Sequence, residues 1–209
     1  MEARLWYDAH RHLSQSPGPI ASVIRAQGVL SPAVESDSCR AVVSAIVGQQ
    51  LSTRAAEKIR TRLFERLGTG CIPNALAGLS DSELRACGLS EAKVRSVRDL
   101  AVRVQVGALD FPAMQDAEDE RIREMLVAVH GIGDWTANMF LIFGLGRPDV
   151  LASTDFGIQV AVGRLLGLSS RATAQQVGQA AREGHWHPFA SAACLHLWRY
   201  LDGPADQKA

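Results

Sequence analysis

Apolar residues return at helical spacing along nearly the whole chain. In "LSTRAAEKIRTRLFERLG" (51–68), Ala55, Ala56, Ile59 and Leu63 fall on one face, Ser52 stands at an N-cap position and Gly68 where a helix would stop. Ser80 with Glu83, and Thr173 with Gln176, have the spacing of a capping box. Ser90 leads into the amphipathic "EAKVRSVRDLAVRV". "DAEDERIREMLVAVHG" opens with acids that suit the positive end of a helix and carries Ile122, Met125, Leu126 and Val129 at helical intervals. No segment alternates convincingly, and no Asn-Gly or Asp-Gly stands between β-branched runs. The pattern predicts an all-α protein of roughly ten short helices.

One stretch interrupts it. "VHGIGDWTANM" (129–139) sets two glycines inside helix-forming sequence, where each costs about 1 kcal/mol against alanine. The spacing predicts one helix ending near Val129 and a second starting near Gly133. Gly131 and Gly133 then let the backbone turn tightly and approach another molecule with no Cβ in the way. The second helix would offer unpaired N–H groups and a positive dipole end to an anion such as a phosphate. By itself "GIG" reads as an ordinary turn between helices.

Composition narrows the picture without deciding it. The chain has 209 residues, 47% of them apolar, and 22 basic against 22 acidic side chains. Zero net charge does not advertise a nucleic-acid binder, although main-chain donors need no lysine to hold phosphate. Residues 51–110 carry ten Lys/Arg against seven acids and residues 111–150 three against seven, which reads as ordinary solvated helix faces. Cys39, Cys71, Cys87 and Cys194 form no CxxC pair, which argues against a zinc ribbon or iron–sulfur cluster and fits reduced thiols in the cytoplasm. The charged N-terminus does not read as a signal peptide, and no run approaches the ~20 apolar residues of a membrane helix.

Downstream, "GRPDVLASTDFGIQVAVGRLLGL" leads a loop into a helix with Ile158, Val162 and Leu165 on its apolar face and Asp155 at its start. Asp is a favoured N-cap, so a purely structural role explains it. The same position serves chemistry, because a helix N-terminus favours negative charge. A fixed carboxylate there suits a reaction that develops positive charge on a sugar, as glycosidic cleavage does.

The run "LVAVHGIGDWTANMFLIFGLGRPDVLASTDFGIQ" resembles the helix-hairpin-helix plus Gly/Pro…Asp motif of the helix-hairpin-helix DNA glycosylase superfamily, and within it the DNA-3-methyladenine glycosylase II family. The order agrees: hairpin, Gly146 and Pro148, then Asp155. "VVSAIVGQQLSTRAAEKI" (42–59), "ACGLSEAKVRSVRDLA" (86–101) and "WHPFASAACLHLWRY" (186–200) resemble further family segments in sequence, so the likeness runs from about residue 38 onward.

The resemblance implies a two-lobed helix-hairpin-helix fold without an N-terminal β-subdomain and without an iron–sulfur cluster. Residues 37–145 would form the central lobe, and 1–36 plus 146–209 the second. It implies an intracellular, nucleoid-associated monomer acting on double-stranded DNA that contains alkylated bases, with no membrane partner. Such enzymes flip the damaged nucleotide and cleave its N-glycosidic bond. Asp155 takes the place of the catalytic carboxylate. Trp135 stands where bifunctional relatives carry a Schiff-base lysine, which implies hydrolysis without strand nicking. Trp135 and Phe189 would line the base pocket, where an aromatic face attracts a cationic alkylpurine. Met139 is a third pocket position and equally a core residue. Gln50 would wedge into the gap left by the flipped base, although Gln49 and Gln50 could simply be a polar helix end. The N–H groups of Gly131, Gly133, Thr136 and Ala137 would hold phosphate. No cofactor is required, but carbonyls of Val127, Val129 and Ile132 align with a site for monovalent Na or K. His130 reads as structural.

Departures from the family pattern are Ala152-Ser153-Thr154 before Asp155, Ala190 where an arginine is common, and Asp134 beside the phosphate site, where it could instead cap the helix. Alternatives are a glycosylase for a deaminated or mismatched base, a non-catalytic DNA-binding module, a bifunctional lyase, and a helical protein unrelated to DNA.

Overall fold

The computed structural model describes residues 2–68 and 72–203; Cys71 lies outside them. Every regular element among the described residues is helical. The chain divides into two compact units, Val34–Leu145 and a discontinuous one formed by Met1–Ala33 with Gly146–Ala209. The boundary expected at 37 thus falls at Val34.

The discontinuous unit begins with α1 (Glu2–Ser14) and α2 (Ile20–Gln27). The other unit holds α3 (Ser38–Gly48), α4 (Thr53–Leu67), α5 (Ile72–Gly78), α6 (Asp81–Ala86), α7 (Glu91–Gln105), α8 (Phe111–Met114), α9 (Asp119–Val127) and α10 (Asp134–Phe143). The chain then returns to the first unit with α11 (Phe156–Leu165), α12 (Ala174–Glu183) and α13 (Ala190–Asp202).

Local chemistry sets many of these boundaries. Ser52, Ser80, Ser90 and Thr173 each accept a hydrogen bond from the N–H three residues on, and the Ser80–Glu83 and Thr173–Gln176 boxes both close. Gly68 ends α4 with φ of 70°, donating its N–H to Phe64 O.

In the Val34–Leu145 unit, α3 and α10 pack together, with Val42, Ile46 and Val47 buried on one and Ala137, Phe140 and Leu141 on the other. α7 lies against α3 and α5, burying Val97 and Leu100. In the discontinuous unit, α13 packs on α1, α2 and α11. Ala193, Cys194 and Leu197 of α13 are fully buried, as are Leu13, Ile24 and Ile158.

Candidate active site and nucleic-acid interface

Asp155 is held at the N-cap of α11, 8% exposed. Its Oδ1 accepts from Ile158 N–H at 2.8 Å and from Trp198 Nε1–H at 2.9 Å. The first bond is the expected cap; the second comes from α13. Gly157 makes room for it, since a Cβ there would lie 3.1 Å from Asp155 Oδ1 and 3.2 Å from Trp198 Cδ1.

The loop leading to Asp155 is fastened to the start of α13. Ser191, fully buried, donates Oγ–H to Arg147 O at 2.6 Å, accepts from Val150 N–H at 2.9 Å, and donates its own N–H to Pro148 O at 3.0 Å. Asp149 accepts from Ala190 N–H at 3.1 Å through its other oxygen than the one that pairs with His187 Nδ1. Gln159 Nε2 donates to Ser153 O at 3.1 Å, and the N–H of Asp155 donates to Ala152 O at 3.0 Å. These bonds show how Ala152-Ser153-Thr154 forms a closed turn and how Ala190 is used through its main chain.

In the other unit, α9 ends at Val127, two residues before the expected stop at Val129, and the chain reverses through Gly131, whose φ is +73°. A Cβ on Gly131 would stand 2.3 Å from Ser96 Oγ of α7, so both the dihedral and the space call for glycine. His130 donates its main-chain N–H to Asp99 Oδ2 at 2.7 Å, which fixes the turn on α7. Burial raises the Asp99 pKa, but the bonds from His130 N–H and Arg103, with their positive charge, outweigh it and leave the carboxyl below its ordinary value.

Gly133, in an extended conformation, is the N-cap of α10, and no side chain caps it. Asp134 is therefore not the cap; it is the first helical residue, exposed, where a negative charge suits the helix dipole. Ala137 must be corrected as a phosphate donor, because its N–H is spent inside the helix on Gly133 O at 3.1 Å. Gly131, Gly133 and Thr136 precede that first intrahelical bond.

Of the remaining candidates, Gln50 is exposed between α3 and α4, with φ of +55°. Its neighbour Gln49, read from sequence as a possible helix end, reaches the hairpin instead: Nε2 donates to Gly131 O and to Thr136 Oγ1, each at 2.9 Å. Trp135 is half-buried on α10, with Cη2 3.6 Å from where a Cβ on Gly48 would sit. Met139 is 8% exposed on α10. Phe189 is half-buried before α13 and meets His12 edge-on, ring centroids 5.4 Å apart. The structure thus joins Gln49, Gly131 and Thr136 in one unit, and Asp155, Gly157 and Trp198 in the other. Sequence reasoning missed Trp198 and Gly157; the tryptophan lay inside a quoted motif, but nothing local tied it to Asp155.

Comparison with solved structures places this helical arrangement among DNA repair proteins. The Schizosaccharomyces pombe 3-methyladenine DNA glycosylase Mag1, solved in complex with abasic DNA, superposes with a TM-score of 0.87 at 28% identity, over 95% of this chain and 98% of that one. The family model of the HhH-GPD superfamily base excision DNA repair proteins matches residues 43–185, and the chain belongs to that family. It is also similar to DNA-3-methyladenine glycosylase 1 of S. pombe, 31% identical over 163 residues, 76% of this chain and 70% of the relative. The putative DNA-3-methyladenine glycosylase YfjP of Bacillus subtilis is 29% identical over 168 residues; the match takes in 77% of this chain and 58% of YfjP. No helix among the described residues is long and apolar enough to cross a membrane.

Proposed function

We propose that the chain is a monofunctional DNA glycosylase that flips alkylated purines, of the 3-methyladenine and 7-methylguanine type, out of double-stranded DNA and hydrolyses their N-glycosidic bond. The observation that carries this is Asp155: a carboxylate capping a helix, with one oxygen fixed by a main-chain and an indole N–H. As the C1′–N bond breaks, its electron pair passes to the base, which leaves neutral because alkylation had made it cationic. Positive charge builds on the sugar, and a preorganised carboxylate stabilises it. Water then bonds to C1′ and gives up a proton, leaving an abasic sugar and a free base. An alkylpurine needs no general acid to depart, so the reaction needs no organic cofactor.

The half-buried Trp135 supplies a π-face that attracts a cationic purine, with Met139 one turn further along α10 as a further pocket residue. An indole forms no imine, which supports hydrolysis without strand cleavage. Gly131, Gly133 and Thr136 present main-chain N–H groups to a phosphate, and Gln50 fills the vacated stack. We assign a monovalent cation, Na or K, to the carbonyls of Val127, Val129 and Ile132. Val127 closes α9, where carbonyls leave the helical ladder, and Val129 O accepts one bond, from Ile132 N–H at 3.1 Å, leaving a second lone pair. A cation there would add positive charge beside the phosphate; exchanging Na or K for a bulky organic cation should weaken duplex binding.

The deciding experiment incubates the protein with methylated duplex DNA and identifies released bases by mass spectrometry. Free 3-methyladenine or 7-methylguanine is expected, with no borohydride-trapped protein–DNA adduct. Binding without release would leave a DNA-binding module, and release of only deaminated or mismatched bases would move the substrate class.

A further inference from the structure

Gln50 holds a left-handed backbone, φ +55°, that side chains other than glycine adopt at a cost. Such a conformation persists only where its surroundings impose it. Two side chains do so here. Lys93, in the first turn of α7, donates Nζ–H bonds to Val47 O at 2.8 Å and Gln49 O at 2.9 Å. The first of these carbonyls belongs to the last turn of α3, where a cation is favoured by the helix dipole. Gln49, whose carbonyl Lys93 grips, extends its amide to Gly131 O and Thr136 Oγ1. The loop before Gln50 is therefore clamped on one side by α7 and on the other by the hairpin. Burial, and then the charge of Arg60, lower the Lys93 pKa, while the two carbonyls return part of the solvation that burial removes.

We propose that Lys93 and Gln49 are positioning residues that hold Gln50 at a fixed offset from the hairpin, so that gripping phosphate at Gly131–Thr136 and inserting Gln50 into the stack become one event. This rests on the reading of the protein as a DNA glycosylase. A loose loop would still allow the hairpin to hold undamaged duplex, but insertion would then carry the entropy of ordering the loop.

The test separates insertion from chemistry by using a duplex with a tetrahydrofuran abasic analogue, which cannot be cleaved, flanked by 2-aminopurine. The wild type should bind it tightly and raise the fluorescence as the neighbouring base unstacks. Lys93→Met should bind undamaged duplex as the wild type does; Gln49→Leu, which also frees the hairpin, should lose less on undamaged than on abasic duplex. Each should bind the abasic duplex about 10- to 100-fold more weakly, the scale of two lost neutral hydrogen bonds, and lose the fluorescence change. Lys93→Arg should recover most of the loss. Gln50→Ala should show the same defect and add little to Lys93→Met, because the two act on one event. Additive losses, or full fluorescence in Lys93→Met, would overturn the proposal. If Lys93→Met melts early, the Gln49→Leu and Gln50→Ala cycle decides by the same criterion. A wild type that inserts but releases no base refutes the glycosylase reading alone; one that does not insert refutes this proposal.

Discussion

Asp155 caps its helix by accepting a hydrogen bond, whereas the proposed chemistry needs its negative charge, so the two roles are separable by substitution. Asn caps a helix as well as Asp does. Asp155→Asn should therefore keep the fold and lesion binding while base release falls below detection in a single-turnover assay; retained turnover would remove Asp155 from the mechanism. Trp198 acts one step back. Its Nε1–H reaches Oδ1 across a sequence gap of 43 residues, whereas the Ile158 cap is local. Trp198→Phe keeps the ring and the cap but drops the indole donor, so melting should hardly change. The single-turnover rate should fall about tenfold, the worth of one hydrogen bond to a charged group. An unchanged rate would leave the indole as packing alone.

The hairpin between α9 and α10 shows why a turn of two glycines is not interchangeable with other short turns. Gly131 answers two demands, a φ of +73° and the approach of Ser96 Oγ to within 2.3 Å of its missing Cβ. Gly131→Ala should lower stability by about 2 kcal/mol or more, part from strain and part from the clash. Adding Ser96→Ala should return only the steric part, since the Ser96 Cβ stays at an ordinary 3.5 Å. Calorimetry on the single and double variants separates the two contributions. The glycines were legible in the sequence, and so were the caps at Ser52, Ser80, Thr173 and Asp155, because each depends on an N–H three residues away. Gln49, Lys93 and Trp198 were not legible as clamps. Their partners stand 43 to 87 residues distant, and a polar or indole donor carries no local mark of which carbonyl or carboxylate it will meet. Ala137 is implied as a donor by the resemblance alone; with Gly133 as N-cap, its N–H is the first to enter the helical ladder.

At the scale of the molecule, equal numbers of acidic and basic side chains leave little net repulsion near neutral pH. The pH limits of stability should instead be set by buried groups, two of which sit on α13. His196 is 1% exposed, its Nδ1 hydrogen-bonded to Gln27 Oε1 of α2 at 2.8 Å. Burial, then the charges of His10 and Arg199, lower its pKa from 6.5 to about 4. Cys194 is fully buried, and burial pushes its thiol up from 9.0 to about 12. The signs are opposite in pH but alike in effect. Below pH 6.5 the unfolded chain takes up a proton that folded His196 refuses until about pH 4, so stability falls with pH through that window. Above pH 9.0 the unfolded thiol ionises while the folded one does not until about pH 12, so stability falls as pH rises. Each limb is worth at most about 3–4 kcal/mol, at 1.36 kcal/mol per unit. The melting temperature of the unit containing α13 should therefore be flat from about pH 6.5 to 9 and drop by several degrees between pH 6.5 and 4.5. His196→Gln, which keeps a donor but cannot titrate, should flatten the acid limb, and Cys194→Ala the alkaline one. An acid limb that survives His196→Gln unchanged would assign it to carboxylates elsewhere in the chain.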